Sequence, residues 1–174
     1  MFNLKNTAWS FCLLFALSFT LALTSCSSDD TDDEPEDNCT AEFLSQNAQG
    51  SFMGDSYNVV QGTAEEDFAD ATQFRFNLYG EAVSGDACDG FNFDKPDSTI
   101  IFSVPMVVGV YELGTSYSLT FNDASVVNEV NAVIALCGAI EITEVTATTV
   151  AGKIDAIGDD TSTLNGNFTA VLCQ

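Results

Sequence analysis

The feature that most restricts the fold of this 174-residue chain is an alternation of apolar and polar side chains with a period of two. Phe74, Phe76 and Leu78 fall on one face of an extended segment, and Arg75 and Tyr79 fall on the other. Glycine, asparagine and aspartate interrupt the pattern at short intervals, which is typical of strands joined by turns. The same alternation recurs at Ile100, Phe102, Val104, Tyr117, Leu119, Phe121, Val130, Ala132, Ile134, Leu136, Ile140, Ile142, Val150, Ile154, Leu164 and Phe168.

This spacing predicts an all-β domain of eight or nine short strands, opening around a turn at Gly54-Asp55. The short links favour antiparallel pairing, because parallel strands need long crossover connections. The predicted fold class is therefore an antiparallel β-sandwich or an up-and-down β-barrel, and the pattern leaves both open. Segments 62–72 and 81–98 are long enough to be loops, and 125–133 is the one stretch compatible with a helical turn.

Aromatic side chains are predicted to fill the core rather than to form a ligand platform. The phenylalanines of the alternating segments all occupy the apolar face. Tyr79 and Tyr111 occupy the opposite face and are expected to be exposed. The one tryptophan of the chain is Trp9, so residues 26–174 contain no indole ring, the strongest platform for stacking a sugar.

Residues 1–25 have the organisation of a secretory signal peptide. Lys5 supplies a positive charge, residues 8–23 are apolar and uncharged, and Thr24 and Ser25 are small. As a helix the apolar run would span about 24 Å, which is short of a hydrocarbon core of roughly 30 Å. No cluster of positive residues follows it. A cleaved signal is therefore favoured over the alternative, a transmembrane anchor.

Leu23-Thr24-Ser25-Cys26 resembles the bacterial lipobox. The resemblance implies cleavage before Cys26, lipidation of its thiol, and a membrane as partner through the acyl chains. Residues 26–38 follow with seven acidic side chains, a density that predicts a solvated tether. Within it, Ser28-Asp29-Asp30-Thr31-Asp32 resembles the lipoprotein export signal of Bacteroidota. That resemblance implies the outer face of the outer membrane, and the alternative is the periplasmic face.

Residues 39–174 are expected to form one domain with a strongly negative charge. Nineteen acidic residues face three basic ones, Arg75, Lys95 and Lys153, for a formal charge of −16. A surface of this sign repels phosphate backbones, which excludes nucleic acid as a partner. Solubility is one explanation of the acidity and calcium binding is the other.

Four cysteines lie in this domain, at positions 39, 88, 137 and 173. An even number in an exported domain predicts two disulfides, and four cysteines allow three pairings. The preferred pairing is Cys39–Cys173 with Cys88–Cys137, because the ends of a compact domain often lie close together. The chain has no histidine and no Cys-x-x-Cys motif, which disfavours a zinc site.

The sequence offers little catalytic chemistry. The absence of histidine removes Ser–His and Cys–His pairs and most general bases that work at neutral pH. No nucleophile elbow, phosphate-binding loop or dinucleotide fingerprint occurs. Paired carboxylates alone remain as a route to hydrolysis, but acidic residues are so common here that chance pairs are expected. The chain is therefore predicted not to be an enzyme and to have no catalytic residues.

Two sites of modification or metal binding are candidates in the second predicted loop. Oxygen ligands at short spacing suit calcium, although the spacing differs from an EF-hand, and the alternative is a solvated, turn-rich loop. Asp97-Ser98-Thr99 resembles the short O-glycosylation acceptor of Bacteroidota, which implies Ser98 as the modified residue. Asp155, Asp159 and Asp160 form a weaker second calcium candidate. The first calcium set is Asp86, Asp89, Asn92, Asp94 and Asp97.

The second half of the domain resembles the all-β lipoprotein domains of unknown function that are common in Bacteroidota. The resemblance rests on segments 110–114, 138–143, 150–154 and 166–170, which repeat a Gly-x-aromatic or Gly-x-Ile pattern. It implies a lipocalin-like or sandwich fold without an established activity. The leading hypothesis is a non-catalytic lipoprotein that binds a small molecule or an envelope protein. The alternative is a lipocalin-like carrier of a small apolar ligand.

Overall fold

The computed structural model describes residues 39–92, 94–114, 116–125 and 131–174, and their regular structure is entirely β. This confirms the predicted all-β class. The predicted signal peptide, Cys26 and the 26–38 tether lie outside the described residues, as do residues 126–130 of the stretch compatible with a helical turn. The strands are β1 (Gln49–Phe52), β2 (Asp55–Asn58), β3 (Gln61–Glu66), β4 (Gln73–Tyr79), β5 (Ser98–Pro105), β6 (Gly109–Glu112), β7 (Leu119–Asp123), β8 (Asn131–Ala135), β9 (Cys137–Val145), β10 (Thr149–Asp159) and β11 (Ser162–Leu172).

The strands form one curled sheet, a half-barrel with the hydrogen-bonded order β6-β9-β10-β11-β3-β4-β5-β7-β8. The hairpin of β1 and β2 is added beside β11. The two ends of this path are β6 and β8. They belong to one long hairpin: its first arm contains β6 and then β7, its second arm contains β8 and then β9, and β7 pairs with β8 while β6 pairs with β9. Only Leu136 separates β8 from β9. The ends of the path therefore lie close together, and the sheet curls back on itself.

Successive strands alternate in direction if β6 and β7 are counted as one interrupted strand and β8 and β9 as another. Seven strand runs then lead from β3 to β11, and because seven is odd the first and last point in the same direction. β11 accordingly pairs in parallel with β3, through Val171 with Thr63 and Leu172 with Ala64. This pair corrects the expectation of a wholly antiparallel sheet. Every other pairing of the named strands is antiparallel.

The interior of the curl is filled by large apolar side chains. Phe76 of β4 stacks on Phe102 of β5 with 4.7 Å between ring centroids. Phe168 of β11 meets both rings edge-on, at 5.7 and 5.8 Å. This confirms the prediction that the phenylalanines pack in the core. The largest side chains that are almost fully buried are Phe74, Phe76, Phe121, Leu78, Ile100, Leu119, Ile140, Ile142, Ile154, Leu164, Val104 and Val150.

The predicted inward face of β8 is wrong. Ile134 and Leu136 are 55% and 56% exposed, whereas Ala135 is completely buried. Both faces of this strand carry apolar residues, so the alternation did not distinguish them. The tertiary contact does: a Cβ atom placed on Gly158 of β10 would lie 2.6 Å from Cγ1 of Val133, so the small glycine admits Val133 to the interior.

Tyr79 and Tyr111 are buried, which corrects the expectation that both are exposed. Tyr79 lies on the outer face of β4 and packs with Val83 and Ala87 of the 80–97 connection, which folds back over the sheet. The Val83 amide donates a hydrogen bond of 2.8 Å to Oε1 of Gln61 in β3. Tyr111 lies in the core, and its hydroxyl donates to the Val107 carbonyl at 2.7 Å. Tyr79 is therefore buried because the 80–97 connection covers the outer face of β4.

The first predicted loop is shorter than expected, because β3 occupies residues 61–66 and leaves only 67–72 as a connection. The inward-facing positions of β3 hold small residues, whereas the predicted pattern requires large apolar ones. Gly62 and Ala64 are buried between β11 and β4, and a Cβ on Gly62 would lie 2.8 Å from Leu78 Cδ2. The second predicted loop is observed up to residue 97, and Ser98 begins β5.

Two disulfides are present, as predicted, but their pairing is Cys39–Cys137 and Cys88–Cys173. The predicted pairing of Cys39 with Cys173 and of Cys88 with Cys137 is therefore wrong. Residues 39–47, the N-terminal strap, approach β11 in parallel, as the bridge from Asn47 to Asn167 shows. Cys39 consequently lies near the start of β9, whereas Cys173 follows the far end of an eleven-residue strand.

The curled sheet has two distinct ends. The cleft end comprises residues 53–56, 79–81, 95–98 and 123–125. The hairpin end comprises residues 67–72, 105–108 and 145–149, where the β3–β4, β5–β6 and β9–β10 connections turn. The described part of the chain contains no helix that is long and apolar enough to cross a membrane.

Candidate functional site

A cleft of about 620 Å³ opens at the cleft end of the sheet. Strand ends supply its walls: β2, the residues after β4, the residues before β5, and the end of β7. Its aromatic part consists of Phe52 and Tyr57, whose rings stack at 5.3 Å with an interplanar angle of 26°. Two other concave features in the described part of the chain are smaller, at about 520 and 230 Å³. We treat the cleft as the candidate ligand site.

Charge in this cleft is unbalanced. Asp55, Glu81, Asp97 and Asp123 line it, and Lys95 is the one basic residue among the lining side chains. The domain as a whole is also negative, so the potential in the cleft disfavours anions and favours neutral polar or cationic groups. The cleft therefore differs from the apolar cavity that a carrier of apolar ligands requires.

Tyr57 organises the base of the cleft. Its hydroxyl donates hydrogen bonds to the Leu78 carbonyl at 2.9 Å and to the Ser98 carbonyl at 3.3 Å, which links the end of β4 to the start of β5. Burial raises the pKa of the Tyr57 hydroxyl well above its usual range. A Cβ on Gly80 would lie 2.7 Å from Cε2 of Tyr57, so the ring fits closely against this glycine. The hydroxyl is a structural donor and not a general base.

Asp123 is held in its ionised form at the other wall of the cleft. Hydrogen bonds from the hydroxyl and the backbone amide of Ser125 lower the pKa of the Asp123 carboxyl, and the Asn131 amide adds to the effect. The backbone amide of Ser125 lies 2.9 Å from Oδ1, and Nδ2 of Asn131 lies 3.0 Å from Oδ2. These bonds fasten the ends of the hairpin formed by β7 and β8.

The five residues of the first calcium candidate do not converge on one point. Asp86 Oδ1 accepts from the Cys88 amide at 2.9 Å, and Asp89 Oδ1 accepts from the Phe91 amide at 2.8 Å. Asn92 Oδ1 accepts from the Asp94 amide at 3.0 Å. These are side-chain turns that shape the 80–97 connection. No group of three or more His, Cys, Asp or Glu side chains is arranged to hold a metal ion among the described residues.

The second calcium candidate is also dispersed. The carboxylate of Asp155 accepts from the Glu42 amide and from Asn165 Nδ2, both at 2.8 Å, and so fastens the N-terminal strap to the outer face of β10. Asp159 Oδ1 instead accepts from the amide and the hydroxyl of Thr161, which lowers the pKa of its carboxyl. The two carboxylates thus serve different structural contacts.

Ser98, the candidate for glycosylation, is the first residue of β5 and lines the cleft. It is half-buried, and its backbone pairs with Asp123 of β7. A sugar on Ser98 would therefore stand at the mouth of the cleft. Glycosylation of this residue remains a prediction.

The chain matches no protein-family model, and searches of curated proteins and of solved structures find no match either.

Of the predicted site residues that the structure describes, the fold brings only Asp97 and Ser98 to the cleft. The others that line it, notably Asp55, Tyr57, Glu81 and Asp123, are missing from the sequence-based candidates. Their positions in the chain span almost seventy residues and form no motif. The sequence signal that could have indicated these residues is a carboxylate at the end of a strand. That signal is too common in an acidic chain to identify a site.

Proposed function

We propose that this chain is a lipid-anchored, non-catalytic binding or accessory module of the cell envelope, displayed on the outer face of the outer membrane. The observation that carries the proposal is Leu23-Thr24-Ser25-Cys26 at the end of an uncharged apolar run. A cysteine in that position is suited to carry acyl chains, and several chains together give stable attachment. The family resemblance of the sequence supports the same conclusion.

The cysteine pairs support an exported location. Cys39 and Cys137 have Cα atoms 5.0 Å apart, and Cys88 and Cys173 have Cα atoms 5.3 Å apart. Disulfides form and persist in oxidising compartments such as the periplasm and the cell surface. A domain with four of its four cysteines paired suits such a compartment.

Binding is favoured over catalysis by the contents of the cleft. Its side chains offer carboxylates, an ammonium group and an aromatic floor, and the tyrosine hydroxyl is occupied by backbone carbonyls. These groups can orient a polar ligand. The Ser125 hydroxyl does contact the Asp123 carboxylate, but the same hydrogen bonds lower the pKa of that carboxyl and make it a weak base. The ligand we expect is neutral or cationic and polar.

The carrier of an apolar ligand is the alternative, and the packing of the interior argues against it. Phe76, Phe102 and Phe168 fill the space that an apolar ligand would need. Native mass spectrometry of protein purified from its host distinguishes the two. A co-purifying apolar small molecule would favour the carrier, and the bare polypeptide with its lipid is the result expected from the proposal.

Substitution of the anchoring thiol tests the proposal directly. We expect Cys26→Ser to move the protein from the membrane fraction to the soluble fraction and to remove the mass of the acyl chains. Cys12→Ser is the matched control, since it changes a cysteine of the predicted signal peptide, residues 1–25, and should leave fractionation unchanged. Membrane association of Cys26→Ser at the level of the unaltered chain would refute the anchor.

Display on the outer face requires a separate experiment. We expect protease added to intact cells to degrade the protein, and replacement of Asp29, Asp30 and Asp32 by alanine to protect it while leaving it in the membrane fraction. A control with alanine at Glu34, Glu36 and Asp37 removes the same charge further from Cys26. Protection of the unaltered chain in intact cells would place it on the periplasmic face.

A further inference from the structure

One side of β6 is not covered by another strand. β6 pairs with β9 on one side and stands at one end of the hydrogen-bonded order, so no described strand pairs with its other side. β8 stands at the opposite end of that order, but β10 lies against it, because a Cβ atom on Gly158 would be 2.6 Å from Val133. We call the uncovered side of β6 the free edge. An uncovered edge is a template for pairing with another extended chain.

The pairing with β9 decides which backbone groups of β6 lie at the free edge. The Leu113 amide donates to the Gly138 carbonyl at 2.9 Å, in register with the pairs of β6 and β9. Hydrogen-bonded and non-bonded residue pairs alternate along an antiparallel ladder. Tyr111 therefore bonds to β9, whereas Val110 and Glu112 turn their amide and carbonyl groups away from it. Two donors and two acceptors consequently line the free edge.

The side chains of β6 do not protect this edge. Natural proteins blunt exposed strand edges with lysine, with proline or with a covering element. β6 contains neither lysine nor proline, and the side chains of Val110 and Glu112 are both exposed. Val110 is 57% exposed, and its β-branched side chain favours pairing with a further strand.

A groove of about 520 Å³ lies beside the free edge. It is lined by β6, by Leu113, and by Ser116 and Tyr117 of the connection to β7, and by no residue of β9. The rings of Tyr111 and Tyr117 meet edge-on in it at 5.3 Å. The Tyr111 hydroxyl donates to the Val107 carbonyl at 2.7 Å, so the ring offers the groove an aromatic surface. Such a groove can accept one apolar side chain of an added strand.

Charge along β6 specifies the kind of strand that fits. Glu141 of β9 lies opposite Val110 and is paired with Lys153 at 2.8 Å. Glu112 lies opposite Ala139 and has no basic partner among the described residues. An added strand would place one side chain opposite Glu112, where a basic residue is favoured. The strongly negative charge of the domain attracts a basic chain in the same way.

The same charges argue against a second copy of this chain. Antiparallel pairing of two β6 strands about Tyr111 would place each Glu112 opposite Val110 and leave both carboxylates unpaired. Parallel pairing in register would place the two Glu112 side chains next to each other, which is destabilising. Two strongly negative domains also repel each other.

We propose that the free edge of β6 binds an extended basic segment of a partner protein, which adds a strand to the sheet. The backbone of the segment pairs with Val110 and Glu112, an apolar side chain enters the groove opposite Tyr111, and a lysine or arginine lies opposite Glu112. In the antiparallel direction this order is basic, apolar and β-branched, as in Lys-Phe-Val. The inference goes beyond the proposed function and requires neither the lipid anchor nor the cleft.

Two peptides of opposite charge test the proposal with the full chain in detergent. One contains Lys-Phe-Val between threonines and the other contains Glu-Phe-Val, and the anisotropy of a fluorescent label measures binding. We expect the unaltered chain to bind the lysine peptide about tenfold more tightly than the glutamate peptide. Glu112→Lys should reverse this preference. Glu66→Lys, which makes the same change of charge at an exposed position of β3, is the control and should retain it.

A proline at the free edge tests the strand pairing itself. The Val110 amide faces away from β9, so Val110→Pro preserves the ladder with β9 and removes one donor from the free edge. We expect it to weaken binding of the lysine peptide about tenfold. Val110→Thr keeps the amide and the β-branched shape and should bind like the unaltered chain. Melting temperatures establish that the variants are folded, and Glu112→Lys carries the test if Val110→Pro is not.

Any of four results would overturn the proposal. Failure of the lysine peptide to bind would refute strand addition by a basic segment. Binding that a folded Val110→Pro does not weaken would place the peptide elsewhere on the domain. Absence of the charge preference, or its persistence in Glu112→Lys, would exclude the contact with Glu112. Self-association of the unaltered chain that Val110→Pro abolishes would assign the free edge to a second copy.

Discussion

The disulfide between Cys88 and Cys173 lies beside the shortest strand pairing of the sheet, between β11 and β3, which we call the seam. Cys173 follows β11, and its amide donates a hydrogen bond of 2.7 Å to the Ala64 carbonyl of β3. β11 and β3 pair over only two residues in register, Val171 with Thr63 and Leu172 with Ala64. The disulfide therefore holds the 80–97 connection against this seam and closes it covalently.

Removal of this disulfide is expected to destabilise the domain substantially. The bond spans 85 residues, and the chain-entropy model attributes about 4.6 kcal/mol of unfolding free energy to a loop of this length. Urea denaturation of Cys88→Ala/Cys173→Ala measures the loss. Cys39→Ala/Cys137→Ala, which spans 98 residues, is the control. Proteolysis within 80–97 should increase in the first variant only, and equal cleavage in both would contradict a specific role at this seam.

Tyr57→Phe is expected to lower the free energy of unfolding by about 1–2 kcal/mol. The substitution leaves the buried Leu78 carbonyl without its side-chain donor, which costs more than the loss of an average hydrogen bond. Tyr117→Phe is the control, because the ring contact with Tyr111 at 5.3 Å survives the loss of the hydroxyl. Urea denaturation compares the two. A cost for Tyr57→Phe no greater than that for Tyr117→Phe would show that the hydroxyl does not hold β4 to β5.

The contribution of Asp67 to stability is expected to disappear in acid. Hydrogen bonds from the Ser103 hydroxyl and the Ala69 amide lower the pKa of the Asp67 carboxyl below its usual value of 3.8. A carboxyl whose pKa is lowered by folding stabilises the protein above its unfolded pKa, and loses that contribution as the pH falls through the folded value. Ser103→Ala should therefore destabilise the domain at neutral pH and less so below about pH 3.

The control for this pH dependence is Ser51→Ala, which removes a hydrogen bond between the hydroxyls of Ser51 and Thr163 that involves no carboxylate. Its effect on the melting temperature should be the same at neutral and acidic pH. Parallel pH profiles of the two variants would show that Asp67 does not titrate as expected.

Calcium is expected to leave the melting temperature unchanged. In the 80–97 connection the side chains of Asp86, Asp89 and Asn92 accept hydrogen bonds from backbone amides two residues further on. These turns do not bring three carboxylates together around one point among the described residues. Thermal unfolding in millimolar calcium and in chelator is the measurement. An increase with calcium that Asp89→Asn abolishes would restore the calcium hypothesis.

Much of the fold could be predicted, and the candidate site could not. Segments such as β4 and β5 alternate cleanly between large apolar and polar residues, so their existence and inward faces follow from the pattern. β3 and β8 do not: β3 carries glycine and alanine inside, and β8 is apolar on both faces. The cleft is assembled from residues after β4, before β5 and after β7, which no local spacing connects.

The all-β class, the number of disulfides and the candidate anchor could be read from the sequence, because they depend on local periodicity, on an even count of cysteines and on a contiguous motif. The pairing of the cysteines, the parallel contact of β11 with β3 and the meeting of the carboxylates in one cleft follow from the three-dimensional fold. Those features depend on the direction in which each strand crosses the sheet. An odd number of strand runs brings β11 and β3 together in parallel, and that long-range geometry leaves no local trace in the sequence.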